Sequence, residues 1–265
     1  MTRHRTRLLP LTALCVVTLT VTAAPAPAAP ARGPVVTAVS AAPAHRLGGR
    51  PAVIGSRTIG HTVRDRPIRA WHLGDPQARQ TVVAIGSMHG DEQQAARPLR
   101  HLRDHRPISG VNLWVVPVMN PDGYARNDRQ NAHGVDLNRN FPVHWIDQDG
   151  EEESGPRPAS EPETRAVMGF LRRIDPDHVV SLHQPLRGID PRTKNPAFAR
   201  RLAREMFLPI RHIDCGGVCH GTMTQWFNRR LDGDAITAEL AADPSRRYLT
   251  RIGPNGLLRA IGGSR

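Results

Sequence analysis

Short apolar runs alternate with segments of helical periodicity along most of the chain. The apolar runs predict strands, and they fall at residues 57–60, 67–73, 81–85, 111–118, 178–182 and 235–240. The periodic segments predict helices, and they fall at residues 91–104, 160–173, 196–206, 221–231 and 244–261. Strands that are apolar along nearly their whole length, alternating with helices, indicate an α/β domain whose sheet is covered on both faces.

Three local signals refine this pattern. Ser160 and Glu163 have the spacing of a capping box and predict the start of a helix, and Gly253-Pro254 predicts an interruption within the last helix. Residues 119–158 carry little regular signal, and an irregular segment of that length in a compact domain is usually functional or disordered. We expect its Glu151-Glu152-Glu153 tract to be a solvated tip.

The first fifty residues do not share the alternating pattern. Three arginines precede an apolar run and then Ala/Pro repeats with small-residue cleavage candidates, which is typical of a secretory signal peptide. We predict a signal peptide at residues 1–31, a flexible lead at 32–50 and one catalytic domain at 51–265. The expected product is secreted, either extracellular or associated with the cell wall, and has no stable membrane anchor.

Export changes the interpretation of the cysteines. Removal of the signal peptide leaves Cys215 and Cys219, which an oxidising compartment favours as a disulfide across a tight turn. A thiolate metal site would need a second cysteine pair, which the sequence lacks.

The chain is strongly basic, with a formal net charge of +12 that comes almost entirely from arginine. A basic surface favours anionic polymers such as those of cell walls. Nucleic acid is disfavoured as a partner, because aromatic residues are only 4% of the chain and form no basic-aromatic stripe.

Polar motifs stand where the apolar runs end or in the segments between them. They are His89-Gly90-Asp91-Glu92, Asn120-Pro121-Asp122-Gly123, Gly134-Val135-Asp136-Leu137-Asn138-Arg139-Asn140-Phe141, Ser181-Leu182-His183 and Thr237-Ala238-Glu239-Leu240. A histidine and a glutamate separated by two residues at a strand end can reach one metal ion, although acidic residues there also suit a helix start. In this order the motifs resemble the zinc carboxypeptidases of the carboxypeptidase A type, over about residues 82–240. Within that family the compact form and the run His183-Gln184-Pro185-Leu186 are most similar to murein peptide amidases.

The resemblance implies a fold and a metal. The expected fold is a single domain with a mixed, roughly eight-stranded sheet, flanked by helices and with its site at the strand carboxyl ends. One Zn2+ per chain is expected, bound by His89, Glu92 and His183. Three protein ligands leave a position for water, as catalytic zinc requires.

The same resemblance implies the remaining catalytic roles. Glu239, a charged residue at the end of an apolar strand, matches the general base. Arg129 matches the arginine that stabilises the oxyanion, with Arg126 as a competing candidate three residues earlier. Asn138 and Arg139 match the pair that binds the substrate's terminal carboxylate.

Two departures argue against an ordinary digestive substrate. Residues 184–238 contain no tyrosine to replace the mobile phenol of the digestive enzymes, and Asp91 stands where those enzymes often have arginine. The expected reaction is hydrolysis of an amide next to a free carboxylate, between γ-D-glutamate and meso-diaminopimelate in murein peptides, with Asp190 as a candidate partner for a substrate amine. The alternatives are a broad-specificity secreted metallocarboxypeptidase and a non-catalytic cell-wall-binding protein.

Overall fold

The computed structural model describes residues 50–213 and 215–265. The predicted signal peptide and all but the last residue of the predicted lead lie outside the described residues. Within the described ranges, no helix is long and apolar enough to cross a membrane.

One mixed sheet organises the described chain. Its strands are β1 (Val53–His61), β2 (Pro67–Gly74), β3 (Thr81–Gly86), β4 (Asn112–Val116), β5 (His178–His183), β6 (Leu186–Ile189) and β7 (Asp234–Ala241). They lie in the order β1-β2-β4-β3-β5-β7-β6. The four central strands are parallel, whereas β1 and β2 at one edge and β6 at the other join by antiparallel pairing. The α/β fold is confirmed, with seven strands among the described residues where the resemblance implied about eight.

Six helices accompany the sheet in the described ranges. They are α1 (Ala96–Asp104), α2 (Pro121–Arg126), α3 (Pro162–Ile174), α4 (Pro196–Met206), α5 (Met223–Arg230) and α6 (Gly253–Ala260). Helices α1, α4 and α6 pack on one face of the sheet, through residues such as Leu99, Leu202 and Leu257. Helices α3 and α5 pack on the other face, through residues such as Phe170 and Trp226.

Strand β3 explains why the central strands are apolar throughout. Val82 and Ala84 point into the core under α1, α4 and α6, whereas Val83 and Ile85 point into the core under α3 and α5. All four side chains are fully buried. A strand covered on both faces cannot alternate with polar residues, so its sequence is a continuous apolar run.

Two predictions about the helices are wrong, namely the capping box at Ser160 and Glu163 and the interruption at Gly253-Pro254. Helix α3 begins after Glu161, and the hydroxyl of Ser160 donates to Glu161 Oε1 while accepting from Asn140 Nδ2. The capping box that the structure does contain belongs to α5, between Thr222 and Gln225.

The last helical segment is not broken at its proline and instead contains a wider, π-helical turn just before it. Residues Tyr248–Ile252 form a π-helical turn, and α6 continues directly from it with Pro254 in its first turn. Proline has no N–H to donate to the preceding turn, and a π turn absorbs that mismatch without ending the helix.

Strand β6 was not predicted, because its four residues include Arg187 and Gly188 and carry no apolar run. Among the named strands it pairs with β7, and Ile189 also forms a bridge to Ile210; Arg187 of this outer strand is exposed.

The segment 119–158 is more regular than its sequence indicates. It contains α2 and two 3-10 turns, Leu137–Arg139 and Gly150–Glu152. Two of its fully buried asparagines, Asn131 and Asn140, link parts of the segment to one another. Asn131 Oδ1 accepts from the amides of His133 and Val135, and Asn140 Nδ2 donates to the carbonyl of Ser154.

Candidate metal centre and active site

Three side chains converge at the carboxyl edge of the parallel strands. Nδ1 of His89 lies 2.7 Å from Oε1 of Glu92, and Nδ1 of His183 lies 2.9 Å from Oε2 of the same carboxylate. One potential ligand atom from each of the three residues lies within 4.8 Å of the others, and all three residues are buried. The structure therefore brings the predicted metal ligands together.

The sheet explains this convergence. Strands β3 and β5 are parallel neighbours, and Gly86 pairs with Leu182 at their carboxyl ends. The turn that follows β3 therefore lies beside His183, the last residue of β5. Gly90 lies between the two ligands of that turn, and a β-carbon there would overlap the backbones of Gly123 and Asp128. The close approach of these backbones requires glycine.

The other nitrogen of each imidazole is also held. Nε2 of His89 lies 3.0 Å from Oδ1 of Asp136, and Nε2 of His183 lies 2.9 Å from the hydroxyl oxygen of Ser181. Acceptors at Nε2 favour the tautomer with its proton on that nitrogen, which leaves the Nδ1 lone pair for a metal. Sequence reasoning missed both partners, although Asp136 lies inside the Gly134–Phe141 motif and Ser181 lies two residues before His183.

The electrostatics of the cluster favour a cation. Burial opposes a charged imidazole at His89, but Glu92 and Asp136 outweigh it and raise the pKa of His89 to about 10. Burial likewise opposes ionisation of Glu92, but His89 and His183 lower its pKa to about 2. The donor set consists of two imidazole nitrogens and one carboxylate, and Asp136 and Ser181 hold the two imidazoles at their other nitrogens. Such a set fits zinc.

Glu239 lies beside this centre. It pairs in register with His183 across strands β5 and β7, and its side chain is buried. The amide of Leu186 donates to Oε2 of Glu239 at 3.3 Å. Burial raises the pKa of Glu239 above its ordinary value, with His183 opposing that shift and Glu92 adding to it. A carboxylate of raised pKa at the edge of a cleft suits proton transfer.

The structure separates the two arginine candidates. Arg129 lines the cleft, with Nη1 3.3 Å from Nδ1 of His89 and Nη2 donating to Asp136 Oδ2 at 2.6 Å. Arg126 instead donates to Asp128 and to the carbonyl of Asn131. The position next to the metal ligands therefore belongs to Arg129.

Asn138 and Arg139 also line the cleft. The amide oxygen of Asn138 accepts from the backbone N–H of Met223, which fixes its side chain against the start of α5. The Arg139 guanidinium is buried, and its Nη1 donates to the carbonyl of Asn138.

The acidic tract of residues 151–153 is not merely a solvated tip, and that prediction is corrected. Glu152 lines the cleft, and its Oε1 lies 3.5 Å from Nη2 of Arg139 and 3.9 Å from Nη2 of Arg129. Three consecutive glutamates are typical of a solvated surface, so the sequence alone does not distinguish the middle one.

These side chains surround a cleft of about 550 Å³. The cleft is also bordered by Gln184, Pro185, Leu186, Asp190, Arg192, Thr193, Lys194, Ile213, Cys215, Cys219, Thr222, Thr224, Gln225, Asn228 and Thr237. Cys215 and Cys219 form the predicted disulfide, with their Cα atoms 5.3 Å apart. Asp190 does not face the cleft alone, because the Arg192 guanidinium donates to both of its oxygens at 2.9 to 3.2 Å.

A sequence model described as zinc carboxypeptidase matches residues 48–186. The chain belongs to the zinc carboxypeptidase family. This family membership makes it a hydrolase and implies zinc as its metal.

Among curated relatives of this zinc carboxypeptidase, murein peptide amidase A of Escherichia coli (strain K12) is 34% identical over 215 residues, which cover 74% of this chain and 86% of that protein. Murein peptide amidase A of Vibrio campbellii is 29% identical over 202 residues, covering 71% and 80%.

Solved structures agree with the family assignment. The murein-tripeptide amidase of Escherichia coli O157 has a TM-score of 0.64 at 31% identity, over 75% of this zinc carboxypeptidase and 90% of that chain. Carboxypeptidase A of Helicoverpa armigera has a TM-score of 0.62 at 17% identity, over 80% and 69%, which is a likeness of fold.

Proposed function

We propose that the protein is an exported zinc amidase that hydrolyses the bond between γ-D-glutamate and meso-diaminopimelate in murein peptides. The observation that carries the proposal is the presence, in one cleft, of a His-Glu-His donor set, a buried glutamate and two arginines. His89, Glu92 and His183 would bind one zinc ion per chain.

The chain's own residues account for the proton transfers. When bound, zinc would supply a Lewis acid that lowers the pKa of water and polarises a carbonyl. Glu239 accepts the proton of the attacking water and then delivers it to the leaving amide nitrogen. The hydrogen bond from Leu186 holds Oε2 of Glu239, and we assign the transfer to Oε1.

The arginines divide two further tasks between them. Arg129, beside His89, stabilises the negative charge that develops on the amide oxygen. Arg139 and Asn138 bind the free carboxylate of the released residue, which fixes the scissile bond at a set distance from the metal ligands.

Two observations support a murein substrate over an ordinary peptide. Relatives whose sequences match more than two thirds of this chain include murein peptide amidases of Escherichia coli and Vibrio campbellii. The cleft presents Asp190 and Arg192 side by side. The far end of diaminopimelate carries an ammonium and a carboxylate, and a carboxylate–guanidinium pair offers a charge partner to each.

Export is supported by the disulfide, which persists in oxidising compartments, and by the signal pattern in the sequence. The high positive charge supports association with anionic cell-wall polymer.

The test is mass spectrometry of the products formed from two substrates. One substrate is L-Ala-γ-D-Glu-meso-diaminopimelate, and the other is an ordinary tripeptide with a free C-terminus. Release of diaminopimelate from the first supports the proposal. Efficient trimming of only the second would replace the murein amidase with a broad carboxypeptidase.

A further inference from the structure

The carboxylate of Glu152 lies where the free carboxylate of the proposed substrate would bind. Its Oε1 lies 3.5 Å from Nη2 of Arg139, the residue proposed to bind the substrate carboxylate. We propose that the Glu152 carboxylate competes with the substrate carboxylate for Arg139. Substrate displaces Glu152 from Arg139, and this competition sets the affinity of the site for free carboxylates. This inference rests on the proposed carboxylate-binding role of Arg139.

The position of Glu152 is fixed by its turn. The side chain of Gln130 donates to the carbonyl of Gly150, and the amide of Asp136 donates to the carbonyl of Glu153 at 2.8 Å. These hydrogen bonds hold the 3-10 turn at Gly150, two residues before Glu152, and at Glu153, one residue after it. The fold therefore fixes the backbone from which the Glu152 side chain reaches Arg139.

Arg139 has one terminal nitrogen directed at this carboxylate. Its Nη1 already donates to the carbonyl of Asn138, and its side chain is only 4% exposed. Its Nη2 faces Glu152, whose side chain is 26% exposed at the cleft. A carboxylate arriving from the cleft meets Arg139 on the side that Glu152 occupies.

The contact is loose enough to be exchanged. A separation of 3.5 Å exceeds the 2.7 to 2.9 Å of a strong guanidinium–carboxylate hydrogen bond. A substrate carboxylate that accepts a short hydrogen bond from Nη2 of Arg139 would repel Glu152 and replace it. The exchange costs part of the binding energy, so removing the charge of Glu152 should tighten carboxylate binding by about threefold to tenfold.

The effect should depend on the charge of the ligand. A ligand that ends in a carboxamide does not compete for the same charge, so its affinity should not respond to Glu152. Glu151, the exposed neighbour, provides the matched control, because it has the same chemistry without the contact to Arg139.

The experiment is calorimetry in a Glu239→Gln background, which prevents cleavage of the ligand. The ligands are L-Ala-γ-D-Glu-meso-diaminopimelate and an acetylated tripeptide ending in phenylalanine, each as the free acid and as the C-terminal amide. Glu152→Gln is expected to tighten binding of both acids and neither amide, and Glu151→Gln to leave all four unchanged. Glu152→Asp, which shortens the side chain and withdraws the charge, should act in the same direction as Glu152→Gln and serves if that variant folds poorly.

Two kinds of failure are distinguishable. A parent protein that prefers the acids but shows equal or weaker acid binding in both Glu152 variants would overturn the role of Glu152 alone. A parent protein that binds acids and amides equally would overturn the carboxylate site at Arg139, and this inference with it.

Discussion

The carboxylate of Asp136 lies 3.0 Å from Nε2 of His89, on the opposite side of the ring from Glu92, and both residues are buried. His89 is thereby held between two carboxylates, so rotation of its ring would cost two polar contacts. This arrangement fixes the direction of Nδ1, the nitrogen that faces the expected metal position, as second-layer partners of metal-binding histidines do.

The first prediction concerns the metal. The purified protein is expected to contain close to one zinc per chain and to lose activity on treatment with chelators. His89→Ala should abolish both zinc content and activity, because it removes one of three protein ligands. Metal analysis checks this, with the exposed His105 replaced by alanine as the control. A fully active preparation without metal would refute the mechanism.

The second prediction separates chemistry from binding. Glu239→Gln should retain zinc and substrate affinity while kcat falls by about a thousandfold or more, because only proton transfer is removed. The measurement is steady-state kinetics together with metal analysis. If the variant kept more than about a tenth of the activity, another base would have to be sought.

The third prediction concerns carboxylate recognition. Arg139→Ala should weaken binding of substrates with a free carboxylate by about tenfold to a hundredfold, the usual loss for a charged hydrogen bond. Binding of the matching carboxamides should change little. Comparison of KM for acid and amide in both proteins checks this, and an equal loss for both would indicate a general structural defect.

The fourth prediction concerns substrate choice. We expect kcat/KM for L-Ala-γ-D-Glu-meso-diaminopimelate to exceed that for peptides ending in Phe, Leu, Lys or Arg by at least about tenfold, roughly 1.4 kcal/mol. The reason is the charged pair of Asp190 and Arg192 at the cleft, which offers partners to the ammonium and carboxylate at the far end of diaminopimelate. Competition assays with both substrates present give this ratio directly. Equal turnover of an ordinary peptide would favour the broad carboxypeptidase.

The fifth prediction uses two buried glutamates with opposite pKa shifts. Burial opposes ionisation of Glu161, but hydrogen bonds from Ser160, Asn131 and His133 lower its pKa below 4.5. Burial raises the pKa of Glu163 above 4.5. Glu161 therefore stabilises the fold above pH 4.5 and loses that contribution as the pH falls through its lowered pKa. For Glu163 the sign is reversed, and its contribution declines as the pH rises from 4.5 through the raised pKa.

Denaturant unfolding as a function of pH checks both signs. Glu161→Gln should cost about 1 to 3 kcal/mol of unfolding free energy at pH 7 and less at pH 3.5. Glu163→Gln should cost less at pH 7 than at pH 3.5. Parallel profiles for the two variants would contradict the prediction.

The sequence predicts the site residues that lie at or just after the ends of strands. His183 and Glu239 each stand at the end of an apolar run, and His89 directly follows one, so the pattern places them at one edge of a sheet. The family resemblance supplied their roles, and the structure brings them together. The same patterning predicted the two-faced core, because apolar burial acts on every residue of the central strands.

Contacts made by polar side chains across long loops were not predictable in this way. Glu152 looks like its two neighbours in the sequence, and only the anchored turn directs it at Arg139. The sequence offers Asp190 as a partner for a substrate amine without revealing that the Arg192 guanidinium also binds its carboxylate. The start of α3 was misplaced because the Ser160 hydroxyl has partners in Asn140 and Glu161 that propensity does not reveal.

The strand order has a consequence for how the molecule acquires its activity. Neighbouring strands β3 and β5 are separated by about ninety residues of chain, and β7 joins β5 from about fifty residues further on. The edge of the sheet that holds Glu239 against His183 is thus built from pairings of high contact order, which form slowly. A chain that ends just before β7 carries every expected metal ligand, yet it lacks the base and the strand that flanks β5. Premature termination or proteolysis after residue 183 should therefore yield an inactive fragment rather than a weakened enzyme.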